Sequence, residues 1–162
     1  MTAMTLPVGS LIFFDISTNS TPNWQKLTEH NRQPMSFQSS RIEKNQRMAN
    51  GTLRKMFVAD KANLSVSWSI VPSFSNMTVD GGYGAMDIKS FYEGIGKGSF
   101  KVKIVYGKNQ TSPYADRTEG SAGYLTMVFS SANFEVVKRN VKNTTSDPAQ
   151  EFWNVSIALE EV

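Results

Sequence analysis

Between Asn63 and Pro72 apolar and polar side chains alternate: Leu64, Val66, Trp68 and Ile70 fall on one side, and Ser65, Ser67 and Ser69 on the other. A period of two belongs to a strand with one face buried and the other wet. The same rhythm returns in Phe100, Val102, Ile104 and Tyr106, which alternate with Lys101 and Lys103, and again in Trp153, Val155, Ile157 and Leu159. Tyr124 to Ser130 and Asn133 to Arg139 read as two further strands. Half-buried strands in this number must close over a shared core, so the chain is constrained to a mainly β, antiparallel architecture.

The segments between these strands supply the remaining elements. Arg41 to Ala49 and Thr52 to Asp60 flank Asn50-Gly51, a dipeptide suited to the two positive φ angles of a type I′ turn, so a long hairpin is expected over about 41–61. Arg41, Lys44, Arg47, Arg54, Lys55 and Lys61, set against only Glu43 and Asp60, make it the most basic part of the chain. Ser73 to Gly82 has the Ser, Asn, Asp and Gly density of a loop. Gly84 to Gly94 is the one helical stretch: Ala85, Ile88, Phe91 and Tyr92 share a face and Gly94 ends it, so Ile88 and Phe91 should lie against a sheet. Gly107 to Gly123 has no apolar rhythm and reads as a long polar loop, as does Asn140 to Gln150. The tally of about seven strands and one helix predicts an antiparallel β-sandwich or open barrel with one flanking α-helix.

At 162 residues, the chain fits one structural domain, 1–162, large enough to do without staples. Zero cysteines exclude disulfides, Cys-ligated zinc, iron–sulfur clusters and thiol nucleophiles. A single histidine, His30, excludes any two-imidazole metal site. The formal charge of +3 is too small for a dedicated nucleic-acid binder. Leu11 to Phe14 is the longest early apolar run and stops at Asp15, so neither a signal peptide nor a membrane span is expected. The Asn-x-Ser/Thr matches, from Asn19 to Asn154, reflect a chain rich in Asn, Ser and Thr.

No catalytic set emerges. His30 sits in the polar run Thr28 to Arg32 and reads as a solvated loop residue, and no G-x-S-x-G elbow is present. Glu135, Glu151, Glu160 and Glu161 give no sign of converging on a cleft. Gly81-Gly82-Tyr83-Gly84 lacks the lysine of a P-loop and reads as a tight lead into the helix; Gly94 to Gly98 follows the helix, where the dipole repels an anion. No cofactor and no metal are expected, and the chain reads as a non-enzyme. Tyr83 and Tyr114 stand out as aromatics that a host- or carbohydrate-binding module would expose.

The run Gln46-Arg47-Met48-Ala49-Asn50-Gly51-Thr52-Leu53-Arg54, then Val58-Ala59-Asp60-Lys61, Trp68, the Val79-Asp80-Gly81 lead into the helix and the ending Phe152 to Val162 resemble small structural proteins of tailed bacteriophages, most of all tail tube proteins. The resemblance implies a β-sandwich with one flanking helix and hexameric rings that stack into a tube, with phage DNA as a transient, non-specific passenger. It implies a virion location and partners among other copies of the chain and other tail proteins. Tube lumens in such families tend to be acidic whereas this chain is mildly basic, a departure that leaves distal-tail and tail-completion proteins as alternatives. In a ring the hairpin and the 107–123 loop would reach a neighbour, so Arg47, Asn50, Arg54 and Lys55 are the expected subunit-interface residues.

Overall fold

The computed structural model describes residues 11–139 and 151–162; the expectations for Met1 to Ser10 and Asn140 to Gln150 lie outside them. The strands are β1 (Ile12–Asp15), β2 (Trp24–Lys26), β3 (Ser36–Arg47), β4 (Leu53–Pro72), β5 (Phe100–Lys108), β6 (Asp116–Thr118), β7 (Leu125–Arg139) and β8 (Glu151–Glu161), with one helix, α1 (Ala85–Glu93). They form one antiparallel sheet in the order β2-β1-β5-β7-β8-β4-β3, with β6 beside β5, curled into an open half-barrel. The fold is therefore mainly β with a flanking helix, as the periodicity predicts, and of sandwich and open barrel it takes the second form.

The alternating residues build the core. Leu64, Val66 and Trp68 of β4, Phe100, Val102 and Ile104 of β5, and Val155, Ile157 and Leu159 of β8 all turn to the concave side and are buried. Helix α1 covers this side through Ala85, Ile88 and Phe91. The Phe91 ring lies 4.9 Å from both Phe14 and Phe100, and Phe129 closes the aromatic cluster. Asp87 accepts hydrogen bonds from the Gly84 and Ser75 amides, so the start of α1 is satisfied by its own carboxylate. Gly84 has to be glycine: a Cβ there would stand 2.5 Å from the Pro72 carbonyl oxygen.

A polar latch ties the β1–β2 segment to the lead into the helix. The buried Thr28 hydroxyl donates to Asp80 Oδ1 at 2.9 Å, while the Glu29 and Gly82 amides donate to the same carboxylate. Burial pushes the Asp80 carboxyl up, but these three hydrogen bonds outweigh it and hold the group below the ordinary aspartate value. A depressed folded-state pKa contributes stability that is fully present above the unfolded-state value of about 4 and is lost as the pH falls through the folded one. Asp80→Asn should cost roughly 1–3 kcal/mol at neutral pH, because donors are left unpaired. It should also flatten the fall in melting temperature between about pH 5 and pH 2. Asp15 is lowered in the same direction, its amide hydrogen bonds from Asn23 and Ser17 outweighing burial, so the variant's profile keeps some slope. A profile parallel to that of the native chain would show that Asp80 is not the acid-sensitive group.

Several local expectations are corrected. The Trp68 row does not continue to Ile70: Trp68 lies opposite Val155 and Val71 opposite Trp153, so β4 carries one extra residue there. Ile70 is the residue expelled, 52% exposed with φ +52°, and the fully buried Val71 takes its place in the core. The Ile70 amide donates to Asn154 Oδ1 and its carbonyl accepts from Asn31 Nδ2, which holds a conformation that β-branched residues rarely adopt. The turn at Asn50-Gly51 is not type I′, since only Gly51 has positive φ. Gly51 N–H donates to Met48 O and Met48 N–H to Thr52 O, a three-residue loop closed by a glycine bulge. Tyr124 to Ser130 and Asn133 to Arg139 are one strand, β7, with a bulge between Phe129 and Ser131. The 107–123 stretch is not wholly a loop, because β6 folds back on β5. Strands β1 and β2 were not anticipated.

Candidate assembly surface

Strand β4 leaves the core beyond Ala62 and continues with β3 as a two-stranded arm. From Leu53 to Val58 every residue is exposed. Arm faces follow from the register, in which Arg41 lies opposite Asp60, Glu43 opposite Phe57, Asn45 opposite Lys55 and Arg47 opposite Leu53. This side continues the concave face of the sheet and satisfies itself. Arg41 forms a two-pronged ion pair with Asp60 at 2.7 and 3.0 Å and stacks over Phe57. Lys55 pairs with Glu43 at 2.7 Å, and the Lys55 and Asn45 hydrogen bonds hold the Glu43 carboxyl below its usual range.

The opposite side carries Ile42, Lys44 and Gln46 of β3, with Met56 opposite Lys44 and Arg54 opposite Gln46. Val58 is the extra residue of a bulge beside Ile42. Met56 is 65% exposed, Val58 63% and Ile42 50%, an apolar strip on an arm where a solvated face would be polar. Lys44 and Arg54, which border it, make no ion pair or hydrogen bond among the described residues. One face of the arm is thus electrostatically closed and the other is open.

The four residues singled out from sequence separate accordingly. Arg54 lies on the open face. Lys55 is engaged with Glu43, and Arg47 donates to the Gly51 carbonyl oxygen at 2.7 Å, where it braces the turn. Asn50 is in the turn itself, its Oδ1 accepting from the Thr52 amide. The apolar strip is the part that sequence reasoning missed; the signal was Met56 and Val58 themselves, masked by the count of basic residues around them.

Two long strand edges are also open among the described residues. No strand pairs with the outer edge of β3 among the described residues. β7 meets β5 only from Leu125 to Met127, so from Phe129 to Arg139 it pairs among the described residues with β8 alone. Edges of this length present rows of backbone donors and acceptors to another chain.

The other candidates fall into place as structural residues. His30 is half-buried at a turn rather than solvated, its Nδ1 enclosed without a hydrogen-bond partner among the described residues. Tyr83 is half-buried against the core, and burial raises its hydroxyl pKa, so it is not an exposed aromatic; Tyr114 is 94% exposed. Glu151 is held by Ser73, whose hydroxyl meets the Glu151 carboxylate at 2.6 Å. Among the described residues, no helix is long and apolar enough to cross a membrane. Compared with protein-family models the chain matches none, and no curated protein matches it closely.

Proposed function

We propose that this chain is a structural, non-enzymatic subunit of a bacteriophage tail that self-assembles into stacked, six-membered rings forming the tail tube. The observation that carries the reading is the β3–β4 arm, with its open face of Ile42, Met56 and Val58 between Lys44 and Arg54, both unpaired among the described residues. In a monomer, ordering such an arm costs conformational entropy with little buried surface to offset it. A neighbouring copy supplies that surface, and the open edges of β3 and β7 give a closed ring further backbone groups to pair. The resemblance of the Gln46 to Arg54 run to tail tube proteins supports a virion setting for this assembly, with other tail proteins as partners and DNA passing through without sequence recognition.

Negative-stain microscopy of the purified protein across a concentration series tests the reading. Rings and stacked tubes are expected. Single rings that never stack would instead favour a distal-tail or completion protein, and a monomer at every concentration, with or without its neighbouring tail proteins, would end the assembly reading.

A further inference from the structure

At the other end of the sheet from the arm, on β2, β5 and β6, the outer face carries a cleft of about 370 Å³. This lies within the range of small-ligand sites, roughly 300–1,000 Å³. Its walls are Trp24 and Tyr124, with Pro22, Lys103, Asp116 and Thr118 around them. The two rings touch, centroids 6.0 Å apart and planes tilted by 49°, so they form a bent wall with no slot between them for a flat base.

The cleft is set before any ligand arrives. Trp24 lies opposite Asp15, whose carboxylate accepts from the Asn23 and Ser17 amides and so closes the loop leading into β2. Gly120 and Gly123, both at positive φ, turn the chain back through a Gly123 N–H to Gly120 carbonyl hydrogen bond. A Cβ at Gly120 would fall 2.1 Å from the Tyr124 carbonyl oxygen, so glycine there is what puts Tyr124 beside Trp24. Lys103 sits 5.8 Å over the Trp24 ring and Lys101 5.1 Å over Tyr124.

The polar groups are arranged for hydroxyls. The Trp24 indole N–H has no acceptor among the described residues. Asp116 spends Oδ1 on Lys108 at 2.9 Å, leaving Oδ2 to accept from a ligand. The lining carries one charge of each sign, Lys103 and Asp116, and an aromatic wall beside one acceptor and one ammonium donor matches a sugar ring, which offers a C–H face for stacking and hydroxyls at its edge.

We propose that the Trp24–Tyr124 cleft binds a neutral pyranose unit of an oligosaccharide. The assignment is independent of the assembly reading, since it rests on residues at the opposite end of the sheet. The test is binding of the full chain to an array of neutral and anionic glycans, followed by tryptophan-fluorescence titration with maltotriose, triacetylchitotriose and a thymidine oligonucleotide. Saturable binding to neutral glycans is expected. Trp24→Ala should weaken it by about tenfold or more. Asp116→Asn, on an exposed side chain that leaves the fold intact, should weaken it roughly threefold. Silence on all neutral glycans, binding confined to anionic glycans or the oligonucleotide, or binding indifferent to both substitutions would overturn the proposal.

Discussion

Trp68→Ala is expected to destabilise the chain by about 3–5 kcal/mol, the range for removing a large aromatic from a packed core. Trp68 is 2% exposed in the middle of β4, opposite Val155 of β8. Its indole N–H donates to the Thr28 carbonyl oxygen at 2.7 Å, and Thr28 is the residue whose hydroxyl reaches Asp80. The substitution therefore opens a cavity and removes the donor to a buried carbonyl in one step. Trp68→Phe weights the two effects differently, since it keeps most of the ring volume and removes the donor, which costs roughly 1–3 kcal/mol. Urea denaturation followed by circular dichroism reads both. An unchanged midpoint for the alanine variant would contradict the central place of this side chain.

The second large effect is on assembly. Met56→Asp with Arg54→Glu puts charge into the apolar strip and reverses one of its bordering cations, while the residues altered contact nothing in the core. Monomer stability should shift by no more than about 0.5 kcal/mol, the usual scale for exposed positions. The concentration needed for rings should rise about a thousandfold, since two hot-spot contacts of about 2 kcal/mol each would be lost together and each 1.4 kcal/mol is tenfold. Lys55→Glu serves as a different probe: it breaks the ion pair with Glu43 on the closed face, so it should disturb the arm itself more than a neighbour's contact with it. Light scattering coupled to size exclusion separates these outcomes. Rings from the Met56/Arg54 variant at the native concentration would place the interface elsewhere.

Much of the sheet was legible because alternation reports directly on a buried face. Leu64, Val66, Trp68, Ile157 and Leu159 were all assignable from spacing, as were Ile88 and Phe91 on the helix. What could not be read was a change of register. Ile70 continues the pattern perfectly in sequence, yet the extra residue expels it, and the groups that stabilise the bulge, Asn31 and Asn154, come from 39 and 84 residues away. Strands β1 and β2 are too short to show a period, and β6 is recognisable only once β5 exists to pair with it. The same distance effect hid the Trp24–Tyr124 cleft, whose two rings lie on separate segments brought together by the sheet. On the arm the difficulty is of another kind: the count of basic residues marks the whole hairpin as one charged surface, and only the register shows that the cations on one side are already spent on their own neighbours.

The continuity of β4 has a mechanical consequence. A single strand of 20 residues runs from the tip at Leu53 to Pro72, and its inner half is laced to β8 from Asn63 to Pro72. A pull on the tip along the strand is therefore delivered to that seam in shear, loading its hydrogen bonds side by side instead of peeling them one after another. The arm behaves as a cantilever rooted in the core, with the bulge at Val58 as its one built-in point of compliance. Whatever grips the tip pulls on the same strand that holds Trp68.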